Sequence, residues 1–204
     1  MNAADARGGE LVVVGRGEAA SLEKDLFDRR VLNTVRYADP AAWAIATAIA
    51  RTLAGRPEPW ATVGQTVGLV VICEHGPVEA IAAVAAATRQ GLPSALRYPA
   101  ANPGSLAGVS CIAFGLRGPT LCLLVAPAAG VPVGLLLARR WVYRQGAPLV
   151  LLAACGQPAA GIHRARALLL SSNVACHGPS LVDLPTFAAW LVSVQTAEGE
   201  PQTR

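Results

Sequence analysis

Charge, lysine and closely spaced cysteines are what this 204-residue chain has least of. Charged residues make up 15% against 53% hydrophobic, and mean hydropathy is +0.42, which excludes a disordered tail-like protein and predicts large buried interfaces. Seventeen basic residues stand against 13 acidic ones, a net +4, and Lys24 is the lone lysine, so most of the basic surplus reflects an arginine-rich and alanine-rich composition. No basic run is interleaved with aromatics, which excludes a nucleic-acid partner and leaves an acidic protein partner open. Cys73, Cys111, Cys122, Cys155 and Cys176 form no Cys-x-x-Cys pair, so neither a zinc knuckle nor a disulfide framework is expected, and most read as reduced core residues. No apolar leader occupies residues 1–10, which are expected to be flexible, and the default location is the cytoplasm. No internal repeat is visible.

One uncharged stretch, Gly118 to Ala138, has the length of a membrane span, with Arg117 before it and Arg139 and Arg140 after it. Pro119, Pro127, Pro132 and several glycines would break a spanning helix, and a buried strand, a turn and a helix are predicted there instead. The length predicts one domain, residues 11–195, followed by a flexible 196–204.

Leu11 to Val14 reads as a buried strand entering a turn at Gly15-Arg16-Gly17. Gly15, Gly17 and Ala20 fit Gly-x-Gly-x-x-Ala, but the second strand ending in an acid that a dinucleotide site requires is missing, so no cofactor is expected. Asp39-Pro40 should start a helix running through Leu53. A Pro-rich connector at 56–60 leads to a strand at Val67–Cys73, a helix at Pro77–Gln90, a loop from Leu92 and a helix at Asn102–Phe114. Strands at Thr120–Val125, Pro148–Ala154 and Arg166–Leu170, a helix at Gly130–Gln145 and an extra helix at Phe187–Val194 complete the pattern. The order β-α-β-α-β-α-β-β predicts an α/β fold with a mixed five-stranded sheet.

Phe114-Gly115-Leu116-Arg117-Gly118-Pro119, the strand after it, and Ala126-Pro127-Ala128-Ala129-Gly130 together resemble a segment of the β-ketoacyl synthases of the thiolase superfamily. In that family the sequence runs Gly-Leu-Arg-Gly-Pro, a buried strand, then Ala-Cys-Ala-Ser-Gly with the cysteine as acyl-accepting nucleophile. The resemblance covers roughly Leu11 to Ser171, the N-terminal half of the duplicated thiolase fold. It implies a half-thiolase sheet, and it places Pro127 at the nucleophile position, where proline offers neither thiol nor N–H. The two histidines of the family's second half have no counterpart before the sequence ends. With Pro127 and Pro132 so close, the following helix is expected to start late, near Gly130. The implied role is a non-condensing accessory protein of a bacterial polyketide or fatty-acid pathway. It would act as a homodimer imitating the two halves, or in a complex with a ketosynthase, with strand pairing across the third strand as another route. Arg117, Arg139, Arg140 and Arg144 are candidates to meet an acidic acyl carrier protein, against the plain reading of a solvated helix face.

The alternative is an enzyme acting on an acyl thioester without a covalent intermediate, as an isomerase, dehydratase or transferase, and a relic without activity is the third reading. Its candidate acid/base pair is Glu74 and His75, because ligands of α/β sheets gather beyond the carboxyl ends of strands. Alternation along a strand prevents Cys73, Glu74 and His75 from all converging. Cys122 reads as a core thiol and Cys155 as a better exposed but unpaired one. His163 and Cys176-His177 read as loop residues with no metal spacing, so no metal is expected.

Overall fold

The computed structural model describes residues 11–54, 64–92, 95–144, 146–172 and 184–195. The expected connector at 56–60, Cys176, His177 and both termini lie outside them. Five strands form one sheet in the order β1-β5-β4-β2-β3. They are β1 (Val12–Ala19), β2 (Val67–Cys73), β3 (Thr120–Leu123), β4 (Leu149–Ala159) and β5 (Ile162–Ser171). The β2–β3 and β2–β4 pairs are parallel, and β5 runs antiparallel to both β4 and β1. Among the described residues six α-helices accompany the sheet: α1 (Arg29–Thr34), α2 (Pro40–Leu53), α3 (Val78–Arg89), α4 (Ser105–Phe114), α5 (Pro127–Arg144) and α6 (Leu184–Val192).

The mixed five-stranded α/β sheet is the one expected, while α1 was not, because its segment is polar and short. Every residue of β2 is buried, as the unbroken apolar run Val67-Gly68-Leu69-Val70-Val71-Ile72-Cys73 demands of a strand covered on both faces. One face packs against α2 and α4 through Leu69, Val71, Leu151 and Leu169. The other packs against α5 and α6 through Val70, Ile72, Leu152 and Leu168.

β1 does not turn at Gly15-Arg16-Gly17 as expected but continues to Ala19, with a register shift between Val13 and Gly15. The two glycines serve packing: a Cβ on Gly17 would overlap the Ala48 carbonyl and sit 2.6 Å from the Thr52 nitrogen, so α2 lies against bare backbone. The Gly-x-Gly motif therefore marks a helix crossing rather than a phosphate loop.

The Gly-Leu-Arg-Gly-Pro segment is likewise legible as architecture. Gly115 ends α4 in the left-handed conformation at φ 64°, and Leu116 N–H donates to the Cys111 carbonyl at 3.0 Å. Arg117 N–H donates to Gly64 and Leu69 N–H to Pro119, both at 2.9 Å. A Cβ on Gly118 would overlap the Val67 carbonyl, so the chain can enter β3 only with glycine there.

Candidate functional site

β2 ends at Cys73 opposite Cys155 of the longer β4, and the first turns of α5 lie against β2, with Gly130 facing Ile72. Pro127 is buried and is the first residue of α5, three residues earlier than expected. The late start fails because proline suits this position: its missing N–H would have no partner in the first turn, and Ala126 supplies the cap by accepting from Ala129 and Gly130 at 2.9 Å. Pro132 lies inside the helix and is exposed. β3 therefore passes into α5 through a short capped junction with Pro127 as the first helical residue. Gly130, Gly134 and Ala138 bring α5 onto the sheet: a Cβ on Gly134 would meet Leu152 Cδ1 at 2.6 Å.

Glu74 and His75, just past β2, are both exposed. Glu74 Oε2 accepts from Gln195 Nε2 at 2.6 Å, so its partner comes from the segment after α6. Sequence reasoning missed Gln195 because nothing local joins it to a strand 121 residues away.

The cysteines are structural in surroundings. Cys122 is half-buried, and burial, aided by the Cys73 charge, pushes its thiol up to about 12, which leaves it protonated and a poor nucleophile. Cys155 is fully buried inside β4, not exposed at its end, and faces Cys73, its register partner on β2. The strand runs on to Ala159, five residues beyond its expected end, because the β4–β5 hairpin extends the ladder. Contact with Cys155 holds the Cys73 thiol below its usual range, and the same contact, with burial, drives Cys155 well above it.

His163 has a role that the sequence did not reveal, and Asp39 caps α2 as expected but has a second role besides. His163 is buried on β5 rather than in a loop, its Nε2 lying 2.9 Å from Glu79 Oε1 at the start of α3. Asp39, 1% exposed, accepts from Ala41 N–H with Oδ1 and from Ala80 N–H with Oδ2, both at 2.9 Å. One carboxylate therefore caps α2 and ties the first turn of α3 to it.

Of the arginine candidates, Arg140 and Arg144 are exposed on α5 four residues apart, on the face that also carries Leu136. Arg139 is exposed beside them, and Arg117 is exposed on the approach to β3.

No known family profile and no curated protein matches the sequence. Solved structures do match. A ketosynthase in complex with its chain length factor from Xenorhabdus doucetiae aligns at TM-score 0.60 and 14% identity, covering 92% of this chain and 92% of the matched one. The ishigamide ketosynthase/chain length factor gives 0.59 and 16%, over 85% of this chain and 65% of its own. Ketosynthase twelve of the bacillaene polyketide synthase of Bacillus amyloliquefaciens gives 0.60 and 11%, over 79% of this chain and 41% of its own. The fold is that of a ketosynthase half. The ketosynthase-fold chain thus spans about two fifths of one of these proteins, about two thirds of another and nearly all of a third. No helix among the described residues is long and apolar enough to cross a membrane, and the uncharged stretch 118–138 divides into β3 and α5.

Proposed function

We propose that this chain is a non-condensing, ketosynthase-like accessory protein of a bacterial polyketide or fatty-acid pathway, acting by binding a ketosynthase or an acyl carrier protein. The observation that carries the reading is Pro127 at the head of α5. Proline stands where the resemblance to ketosynthases places the acyl-accepting cysteine, at the first residue of the helix after β3, and its side chain cannot accept an acyl group. Equal 92% coverage of both chains in the Xenorhabdus doucetiae match means that a chain of about this length has the same fold within a ketosynthase/chain length factor complex.

The surface is consistent with a partner. β3 is an edge strand of four residues, and Leu121, Leu124 and Val125 on and after it are 38%, 45% and 40% exposed. On α5, Val133 and Leu136 are 46% and 69% exposed, continuous with Arg140 and Arg144. The neighbouring part of that layer is filled by α6, which buries Trp190 and Leu191 against it. This favours a heterocomplex over a homodimer imitating two thiolase halves, since a second copy would have to accommodate α6.

The competing enzyme reading rests on Glu74 and His75, both exposed, with Glu74 already accepting a hydrogen bond from Gln195. Size-exclusion chromatography with light scattering, on the protein alone and mixed with the ketosynthase and acyl carrier protein encoded near it, is the test. A stable heterocomplex is expected. A homodimer or monomer indifferent to both would overturn the accessory reading and favour the enzyme.

A further inference from the structure

On the sheet face opposite α5, a cleft of about 210 Å³ opens between the end of α1 and α4. Its walls are mostly aliphatic, with Val35, Val109, Ile112 and Leu96 prominent, and Leu96 and Ile112 are left 66% and 50% exposed. At its rim the ring of Tyr37, a lining residue, carries two guanidiniums, with Arg36 4.8 Å and Arg97 5.0 Å from the ring centroid. Neither arginine makes an ion pair with a described carboxylate. Both cations are held near one lining residue of the apolar cleft, and the positive potential they share there favours an anion.

The lining hydroxyls sharpen the preference. Thr34 donates to the Arg30 carbonyl and Ser105 to the Ala100 carbonyl, both at 2.8 Å. Their protons are spent, so an acceptor head group on a guest draws its donors from Arg36 and Arg97, whose charge favours an anionic acceptor.

Gly108 adds an independent observation. It lies mid-helix in α4, where glycine is unfavourable relative to alanine, and it lines the cleft. A Cβ there would meet nothing within 4 Å, so packing does not require the glycine. What its missing side chain does is keep the cleft open.

We infer that this cleft binds a small amphiphilic anion, an aliphatic body seated between α1 and α4 with a carboxylate or phosphate head held by Arg36 and Arg97. The site lies across the sheet from Pro127 and does not depend on the accessory role. Calorimetric titration of the full chain with octanoate, octanamide and octylammonium tests it. Octanoate should bind about tenfold or more tightly than octanamide, and octylammonium should not bind. Octyl phosphate binding more tightly than octanoate would assign the head group to phosphate within the same proposal. Gly108→Leu should fill the cleft and abolish octanoate binding with the circular dichroism spectrum unchanged, while Gly108→Ala should raise Tm. Should Gly108→Leu fail to fold, the double variant Arg36→Gln/Arg97→Gln decides, with a loss of about tenfold or more expected. Equal binding of octanoate and octanamide, binding indifferent to these variants, or none in the millimolar range would overturn the inference.

Discussion

Asp39 does the most with the fewest atoms. Its two oxygens satisfy N–H groups at the starts of two helices in a place from which water is excluded. Asp39→Ala removes an N-cap and strands a second buried donor, so unfolding free energy in urea should fall by about 2–4 kcal/mol. Asp39→Asn should recover part of this, because one amide oxygen can still accept while its NH2 group cannot. Cys122 gives the second prediction at this scale. Burial raises its folded-state pKa from the ordinary value of 9.0 to about 12, so the unfolded chain loses this proton first as pH rises. The contribution is fully present below pH 9 and is lost between pH 9 and 12. Comparing the alkaline stability profiles of the protein and Cys122→Val should show a shallower decline in the variant, and identical slopes would mean that this thiol is not held protonated by the fold.

Among the elements, α6 is the least expected in its attachment. Arg166 is 1% exposed in the middle of β5, yet its Nη1 donates to the Trp190 carbonyl at 2.7 Å and to the Ser193 hydroxyl, and its guanidinium lies 4.9 Å from the Trp190 ring. Its Nε is 3.2 Å from Glu18 Oε1, a separation suited to an ion pair although no aligned hydrogen bond forms. Burial pushes the guanidinium pKa down while Glu18 draws it back up. Replacing Arg166 by Met should therefore detach α6 before it unfolds the sheet. Hydrogen exchange should rise at 184–195 and remain slow in β2 and β4; uniform acceleration would mean that this anchor belongs to the global core instead. The sequence showed the strands clearly because β2 and β4 are continuous apolar runs, and it showed α2 because Asp39-Pro40 marks its start. The anchor was hidden for the opposite reason: an arginine in an apolar strand reads as a boundary, and the expected start of β5 was set at Arg166 whereas the strand begins at Ile162. The Pro127 junction was misplaced because two prolines suggest delay until the capping carbonyl of Ala126 is seen. Glu74 was singled out as a candidate by its place at a strand end, whereas its contact with Gln195 and that of Arg97 with Tyr37 join segments far apart in the chain, and only the fold brings them together.

For the molecule as a whole, the proposed accessory role turns on which apolar surface would meet a partner. The four-residue edge of β3 offers main-chain groups, whereas α5 offers Val133 and Leu136 backed by Arg140 and Arg144. These two modes respond differently to salt, because an arginine-assisted contact is screened at the surface while strand pairing is not. If the accessory reading holds and α5 is the contact, Leu136→Glu should weaken the complex with the ketosynthase about tenfold or more while leaving Tm unchanged, since Leu136 is 69% exposed and supports no core. Arg140→Glu/Arg144→Glu should weaken it further at low salt than at high salt. His75→Ala should leave that binding intact, and a loss of acyl-thioester turnover in the same variant would instead restore the enzyme reading. A complex unaffected by all three α5 substitutions would move the interface to β3, where a lysine at Leu121 should then disrupt it.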